Sequence, residues 1–194
     1  MSHSNLNFWE QRYSTGTTPW DFHGVPPALT AYLKNRTTPG SVLIPGCGFG
    51  HEVRAFHEHG WQTLAIDYSP TAVDQAKANL GSLASWVRKA DFFTDDLDGP
   101  FDLIYERTFL CAIDPEQRPT YANRMRQLIQ PGGVLAGLFF YGEEPDGPPH
   151  SLADLTLAKR LLTGFELITD EPIPAADSLP LFVDRERWQV WRRL

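Results

Sequence analysis

The chain has 194 residues, 42% hydrophobic and 12% aromatic, which is enough to bury a sizeable core and excludes a disordered or repeat protein. Its formal net charge of −7, with no run of Lys or Arg, argues against a nucleic-acid backbone or an anionic membrane and favours a small molecule as partner. Cys47 and Cys111 are too few for a secreted disulfide framework and lack the paired spacing of a zinc site, so a reduced cytoplasmic chain without metal is expected.

The opening "MSHSNLNFWEQRYS" is polar and aromatic, unlike a charged start followed by an apolar stretch, so it does not read as a secretion signal. The most apolar segment, "VLAGLFFY" at 134–141, falls far short of the roughly 18 residues of a membrane span. A single domain is expected, with residues 1–36 as an N-terminal helical segment and 41–194 as an α/β core.

In "SVLIPGCGFGHEV", residues 41–53, Val42, Leu43 and Ile44 form a short buried strand. Gly46 to Gly50 make a tight turn, and His51 to His59 the following helix. Such a strand–turn–helix aims backbone N–H groups and a helix N-terminus at a ligand, and glycine lets that ligand approach without meeting a Cβ. "QTLAIDYS" is a second strand ending at Asp67, followed by a helix that Ser69 caps, Pro70 opens and Gly81 closes. A third strand lies within "SWVRKADFF", and "FDLIYE" at 101–106 alternates as a fourth.

"DPEQRPTYANRMRQLIQPGG" reads as a helix with Asp114 as N-cap and Pro115 at its first position, Pro119 disturbing the opening turn. Pro131, Gly132 and Gly133 then stop the helix and feed "VLAGLFFY", a central strand covered on both faces. "SLADLTLAKRLLTGFELI" adds a helix and a strand, and "ERWQVWRRL" a last strand able to pair antiparallel. "GEEPDGPPHS" and "DEPIPAADSLPLFVD" read as surface loops. The alternation of strands and helices predicts an α/β sheet, which binds ligands beyond the C-terminal ends of its strands.

"GCGFG" departs from the dinucleotide pattern, whose third glycine comes one residue later. Asp67, at the end of the second strand, is placed to accept hydrogen bonds from ribose hydroxyls, which suits NAD and S-adenosylmethionine equally. Asp91 and Phe92 follow the third strand where an adenine would lie: a carboxylate for its amino group, a ring or backbone N–H beside its face. The plainer reading of "DFFTDD" is a solvated acidic loop with two core phenylalanines.

Five stretches carry a more specific likeness: "FWEQRYSTGTTPWD" at 8–21, "PGCGFGHEV" at 45–53, "AIDYS" at 65–69, "KADFF" at 89–93 and "YERTFLCAIDPEQRPTYANRM" at 105–125. Through them nearly the whole chain resembles a class I S-adenosylmethionine-dependent methyltransferase of the thiopurine methyltransferase family, particularly its halide and thiol methyltransferase branch. The resemblance implies a Rossmann-like, mostly parallel seven-stranded sheet flanked by helices, with an antiparallel C-terminal strand. It also implies an N-terminal lid whose Trp9, Tyr13 and Trp20 fold over the cofactor. Gly46, Cys47 and Gly48 would line the methionine moiety, Asp67 with Tyr68 beside it would bind the ribose, and Asp91 with Phe92 the adenine.

By the same resemblance Arg107 lies by the cofactor and faces the acceptor, as the one catalytic candidate. The halide and thiol branch often has tyrosine there and the thiopurine branch arginine, so the chain mixes two branches.

A sulfonium is attracted to aromatic faces, and a lid excludes water from the reacting methyl group. A free thiol with a pKa of roughly 8.5 is only a few per cent thiolate at neutral pH, and a cation beside it raises that fraction. Among the histidines, His150 in the "GPPHS" loop is the best placed to line an acceptor pocket, with a surface position the plainer reading. The expected function is methyl transfer to a small thiol, sulfide or halide-type acceptor by a monomer without nucleic-acid or membrane partner. An NAD-dependent oxidoreductase and a non-catalytic binding module are the alternatives.

Overall fold

The computed structural model describes residues 3–36, 38–143 and 146–194, and of 3–5 the backbone alone. Glu144 and Pro145 of the expected loop, and the first two residues of the expected N-terminal segment, lie outside the described residues. The chain divides into two compact units, Met1–Leu97 and Asp98–Leu194. Seven strands are distributed between them, three in the first and four in the second.

In the first unit, α1 (His3–Ser14) and α2 (Pro27–Lys34) precede β1 (Ser41–Pro45), α3 (His51–Glu58), β2 (Gln62–Asp67), α4 (Pro70–Leu80) and β3 (Val87–Lys89). The strands run β3-β2-β1 and are all parallel, with Leu43 opposite Leu64 and Ala65 opposite Val87. Each crossover is a helix with one apolar stripe. Val53 and Phe56 of α3 and Ala72, Val73, Ala76 and Leu80 of α4 are buried, at three- and four-residue spacing. Helix α4 begins and ends as its sequence predicts: the Ser69 hydroxyl accepts from the Ala72 N–H at 3.1 Å, Pro70 opens the first turn, and Gly81 follows at φ +59°.

The second unit contains β4 (Phe101–Arg107), α5 (Arg118–Leu128), β5 (Ile129–Phe140), α6 (Leu155–Leu161), β6 (Phe165–Pro172) and β7 (Glu186–Arg193). Its order is β4-β5-β7-β6, with β4 and β5 parallel and β7 antiparallel to both neighbours. The antiparallel final strand is therefore as expected. Gln189, fully buried on β7, accepts from the Tyr141 hydroxyl at 2.9 Å and the Trp191 indole at 3.1 Å, and donates to Asp170 at 2.8 Å. A buried amide with this many partners fits only one pairing register, because a one-residue slip would turn it to the opposite face.

Three sequence expectations are corrected here. Helix α5 begins at Arg118, after a separate 3₁₀ turn at Pro115–Gln117, and the Asp114 side chain makes no capping bond. Pro119 lies in the first turn of α5, where its missing N–H has no partner to lose. Pro131, Gly132 and Gly133 do not precede β5 but lie within it, as an irregularity in which the register moves from Phe101 opposite Ile129 to Leu103 opposite Val134. β4 does not alternate: Leu103 to Glu106 are all buried, the pattern of a strand covered on both faces. In addition, Asp170 to Pro172, expected in a loop, end β6.

Candidate active site

The turn after β1 is built from glycines in the left-handed region, with Gly46 at φ +61°, Gly48 at +51° and Gly50 at +75°. Two of them also meet neighbours closely. A Cβ on Gly48 would come within 2.9 Å of the Tyr13 hydroxyl, and one on Gly50 within 3.2 Å of Leu80 and Ala76. The third glycine thus packs the start of α3 against α4, and the second gives Tyr13 room over the turn. Cys47, buried within the turn, donates its N–H to Ile66 at 2.9 Å, tying the turn to β2. Burial, with Asp67 and Glu52 nearby, pushes its thiol well up, so it remains a protonated apolar filler.

Asp67 closes this arrangement. Its carboxylate accepts the N–H groups of Gly48 and Ser69, both at 2.9 Å, joining the glycine turn to the first turn of α4. Burial raises it to about 6, against the pull of the Ser69, Gly48 and Tyr68 N–H groups. A carboxylate has about four acceptor sites, so these N–H groups leave capacity for a ribose hydroxyl. Tyr68 is half-buried beside it.

The aromatic N-terminal segment belongs to the same cluster. Trp9 packs edge-on against Trp20 at 5.2 Å, Trp20 against Tyr13 at 5.9 Å, and Tyr13 against Phe49 of the turn at 5.6 Å. Burial, and the Asp67 charge after it, push the Tyr13 hydroxyl well above its ordinary value, so it stays protonated and neutral.

Two carboxylates absent from the sequence expectations hold this segment down. Glu10 accepts from the hydroxyls of Ser69 and Thr71 at the start of α4. The buried Asp21 accepts from the His23 N–H at 2.9 Å and meets the His51 ring at 3.0 Å. Burial raises both carboxyls, but these bonds outweigh it and leave both below the usual range. The spacing of Glu10 three residues before Tyr13 was the available signal, since it puts the two side chains on one face of a helix.

Asp91 and Phe92 follow β3, and their side chains do less than expected at a ligand. The Asp91 Oδ1 accepts the Phe93 N–H at 2.8 Å, and the Asp91 N–H donates to Asp95 at 3.0 Å, a self-contained turn. The Phe92 ring is 2% exposed, stacked edge-on with Phe93 at 5.3 Å. Its ring is a core element.

Trp9, Tyr13, Trp20, Gly46, Cys47, Gly48, Asp67, Tyr68, Asp91 and Phe92 all belong to the first unit, and the glycine turn, Asp67 and the aromatic cluster converge there. S-adenosylmethionine fits these residues: a backbone cradle, a carboxylate with spare acceptor sites and an aromatic cover. Arg107 belongs to the second unit, at the C-terminal end of β4 and half-buried.

Around the residues that follow Arg107 lies a small pocket, partly open to solvent, contained within the second unit and with room for about one water molecule. It is lined by Glu106, Cys111, Phe140, His150, Phe182 and Glu186, among others. Thr108, also in its wall, sits at φ +56°, a strained conformation for a branched residue. Glu106 is fully engaged: its Oε1 accepts from the N–H groups of Phe109 and Leu110 and its Oε2 from the Tyr121 hydroxyl. Burial nonetheless raises it to about 7. Cys111 is raised beyond any useful range by burial and by Glu106 and Glu186, so it is not a nucleophile. His150 lines the pocket, 3.9 Å from Asp114. His57 and His59 are exposed.

Among the described residues no His, Cys, Asp and Glu cluster is arranged to hold a metal ion, and no helix is long and apolar enough to cross a membrane.

Comparison with known proteins agrees with this geometry. The family model for thiopurine S-methyltransferase matches residues 4–193. A probable thiol methyltransferase 2 of Arabidopsis thaliana is 35% identical over 87% of this chain and 78% of its own length. Thiocyanate methyltransferase 1 of the same organism is 32% identical over 96% of this chain and 84% of its own. A solved structure of Burkholderia thailandensis 1,6-didemethyltoxoflavin-N1-methyltransferase, holding S-adenosylhomocysteine, superposes with a TM-score of 0.74. It covers 97% of this chain and 86% of its own at 20% identity, a likeness of fold. The chain belongs to the thiopurine S-methyltransferase family, and with it to the S-adenosylmethionine-dependent methyltransferases of Rossmann-like fold.

Proposed function

We propose that the protein transfers the methyl group of S-adenosylmethionine to a small acceptor of the thiol, sulfide or halide type, with sulfur favoured. The observation that carries the choice of sulfur is the relative named as a thiol methyltransferase, 35% identical over 87% of the chain. When bound, the cofactor supplies an electrophilic methyl group and leaves as a neutral thioether.

In this reading Gly46, Cys47 and Gly48 hold the methionine end, Asp67 and Tyr68 the ribose, and Asp91 with the Phe92 backbone the adenine. Trp9, Tyr13 and Trp20 cover the sulfonium and keep water out. Arg107 is the cation that attracts an anionic or ionising acceptor. The chain works as one domain, a cytoplasmic monomer, without metal. The in-line displacement leaves alignment, desolvation and proton removal to the protein.

The test is product formation from S-adenosylmethionine with methanethiol, hydrosulfide, thiocyanate and iodide. Turnover of at least one thiol or sulfide, faster than of iodide, is expected. Failure with all four, by protein that still binds the cofactor, would overturn the reading in favour of a non-catalytic binding module.

A further inference from the structure

The loop between α1 and α2 is pinned by a charge. From Ser14 to Val25 every side chain is exposed or half-buried except that of Asp21. A loop fixed for stability alone would be held by an apolar side chain, because a buried carboxylate must be compensated for the water it loses. Here the attachment is directional instead. The Asp21 Oδ1 accepts the His23 N–H at 2.9 Å and meets the His51 Nε2 at 3.0 Å, and its Oδ2 lies 2.9 Å from the His23 Nδ1. Burial opposes its ionisation, and the bonds from His51 and His23 overcome that, so the carboxylate only accepts and the His51 Nε2 is the donor.

Asp21 closes a turn begun at Thr18, whose carbonyl accepts the Asp21 N–H at 3.0 Å, with Pro19 and Trp20 between them. Trp20 is thus one residue from the pin. Its indole donates to the Tyr13 hydroxyl, which stands where a Cβ on Gly48 would be. His51 opens α3 immediately after the glycine turn, its ring tilted against Phe49 at 6.1 Å. The Asp21–His51 bond therefore ties the aromatic cover to the glycine turn beneath it.

The same loop is built to lift. Gly16, at φ +66°, and Gly24 lie on either side of the turn, and a Cβ at either would meet nothing within 4 Å, so no packing resists rotation there. His23 sits at φ +55°, a left-handed conformation kept by the contacts of its N–H and its ring with Asp21. The His51 side chain is 29% exposed and that of His23 81%, so water can replace either partner on release. Glu10 holds α1 to the start of α4, which fixes the helix while the loop beyond it is secured by Asp21.

Resting on the reading above that Trp9, Tyr13 and Trp20 cover the cofactor, we infer that the Asp21–His51 bond is the catch of this lid, holding residues 17–23 shut over bound cofactor and parting to let cofactor and its thioether product pass. Asp21 and His51 are positioning residues that act through Trp20 and Tyr13. They set how long the cofactor stays, and leave methyl transfer within the closed lid unchanged.

The probe is S-adenosylhomocysteine, which binds without turnover. In the full chain His51→Ala should weaken it about tenfold in calorimetry and speed its dissociation by a similar factor, as loss of a hydrogen bond to a charged group would. With methanethiol as acceptor, KM for S-adenosylmethionine should rise about tenfold while kcat changes less than about threefold, whereas a merely structural role would lower kcat through lost folded protein and leave KM alone. His51→Gln puts an amide N–H where Nε2 stands, and should bring affinity back to within about twofold of wild type. Asp21→Ala should match His51→Ala, and the double variant should be no weaker than either. On binding S-adenosylhomocysteine, residues 17–23 of the wild type should gain protection from amide hydrogen exchange, and those of Asp21→Ala and His51→Ala little, with protection of residues 41–53 gained equally in all three.

Unchanged affinity and dissociation in His51→Ala overturn the inference, as does a Gln variant as weak as the Ala variant. Protection of residues 17–23 as large in the Ala variants as in wild type also overturns it. If Asp21→Ala fails to fold, the two His51 variants decide by the same criteria. Wild-type protein that binds S-adenosylhomocysteine with no added protection anywhere in residues 8–24 rejects the aromatic cover itself, a result distinct from any pattern among the variants.

Discussion

The two units give their buried carboxylates different partners: Asp67 is held by main chain, Glu106 by main chain and a tyrosine hydroxyl, and Glu186 by a serine hydroxyl. In the first, Asp67 is tied to two backbone N–H groups and the glycine turn supplies the rest of the recognition from main chain. In the second, Glu106 and Glu186 are buried side chains in the wall of a small pocket that is otherwise mostly apolar. Main-chain recognition depends on a few φ angles and tolerates wide variation in the side chains around it. Recognition by buried carboxylates depends on individual residues, and a single change alters which ligand is favoured.

The sharpest way to break this contrast is at Gly137 in β5, where a Cβ would come 1.7 Å from the Glu106 carbonyl oxygen. Gly137→Ala is expected to cost ~4 kcal/mol or more, the range reserved for severe core errors, and to leave little folded protein by thermal melting. A normal melt would mean that β4 and β5 adjust more freely than a pocket set by side chains allows.

Glu106 tests the same unit through pH. Its folded value of about 7, against an ordinary 4.5, means that between those pH values the folded chain binds a proton that the unfolded chain has released. Stability therefore falls as pH rises through that window, by ~3 kcal/mol when the full shift is counted. Glu106→Gln should remove that slope in denaturant titrations at pH 5 and 7.5. Asp67 adds a smaller slope of the same sign, between its ordinary 3.8 and about 6, which stays in the variant. A slope as steep in the variant as in the wild type would place the proton elsewhere.

In the first unit Asp67→Ala should weaken S-adenosylmethionine by ~1.5–3 kcal/mol in calorimetry, the worth of hydrogen bonds to a charged group. Unchanged affinity in folded protein would leave Asp67 as a clamp on the turn alone. The smallest effect is expected at Glu10. Replacing it with Ala removes two hydroxyl partners of a half-exposed carboxylate, and cofactor affinity should fall by ~1 kcal/mol with little loss of melting temperature. A loss as large as that at Asp67 would show that the lid, and not the turn, dominates binding.

How much of this was legible in the sequence follows the same division. The β1 turn, Asp67, and the cap and stop of α4 are local: each is decided by residues within a few positions, and glycine, proline and serine announce them. The displaced start of α5 shows the limit even there, because a proline at residue 119 is compatible with either a broken helix or a new one. The proline and two glycines inside β5 were misplaced for a related reason. They read as a stop, and only pairing with β4 shows that the strand runs on through an irregularity. Glu106 and Glu186 could not be found at all. Glu106 stands near the end of an apolar strand and Glu186 at the start of a mixed one, both common places for a solvated charge, and their burial depends on residues far along the chain. The ring of Phe92 turned out to be core because a hydrophobic side chain next to a ligand and one beneath it look alike in sequence.

The order β4-β5-β7-β6 also governs what happens while the chain is being made. β5, the most apolar strand, ends at Phe140, and the partner for its second edge does not begin until Glu186. β6 is synthesised in between but lies beyond β7, so it cannot cover that edge. Throughout the interval the emerging chain carries a hydrophobic strand with one edge unpaired, the kind of edge that pairs with other chains. The last eight-residue strand is thus what ends the period of exposure, and a ribosome that stalls anywhere in the preceding loop releases a chain with its stickiest surface uncovered.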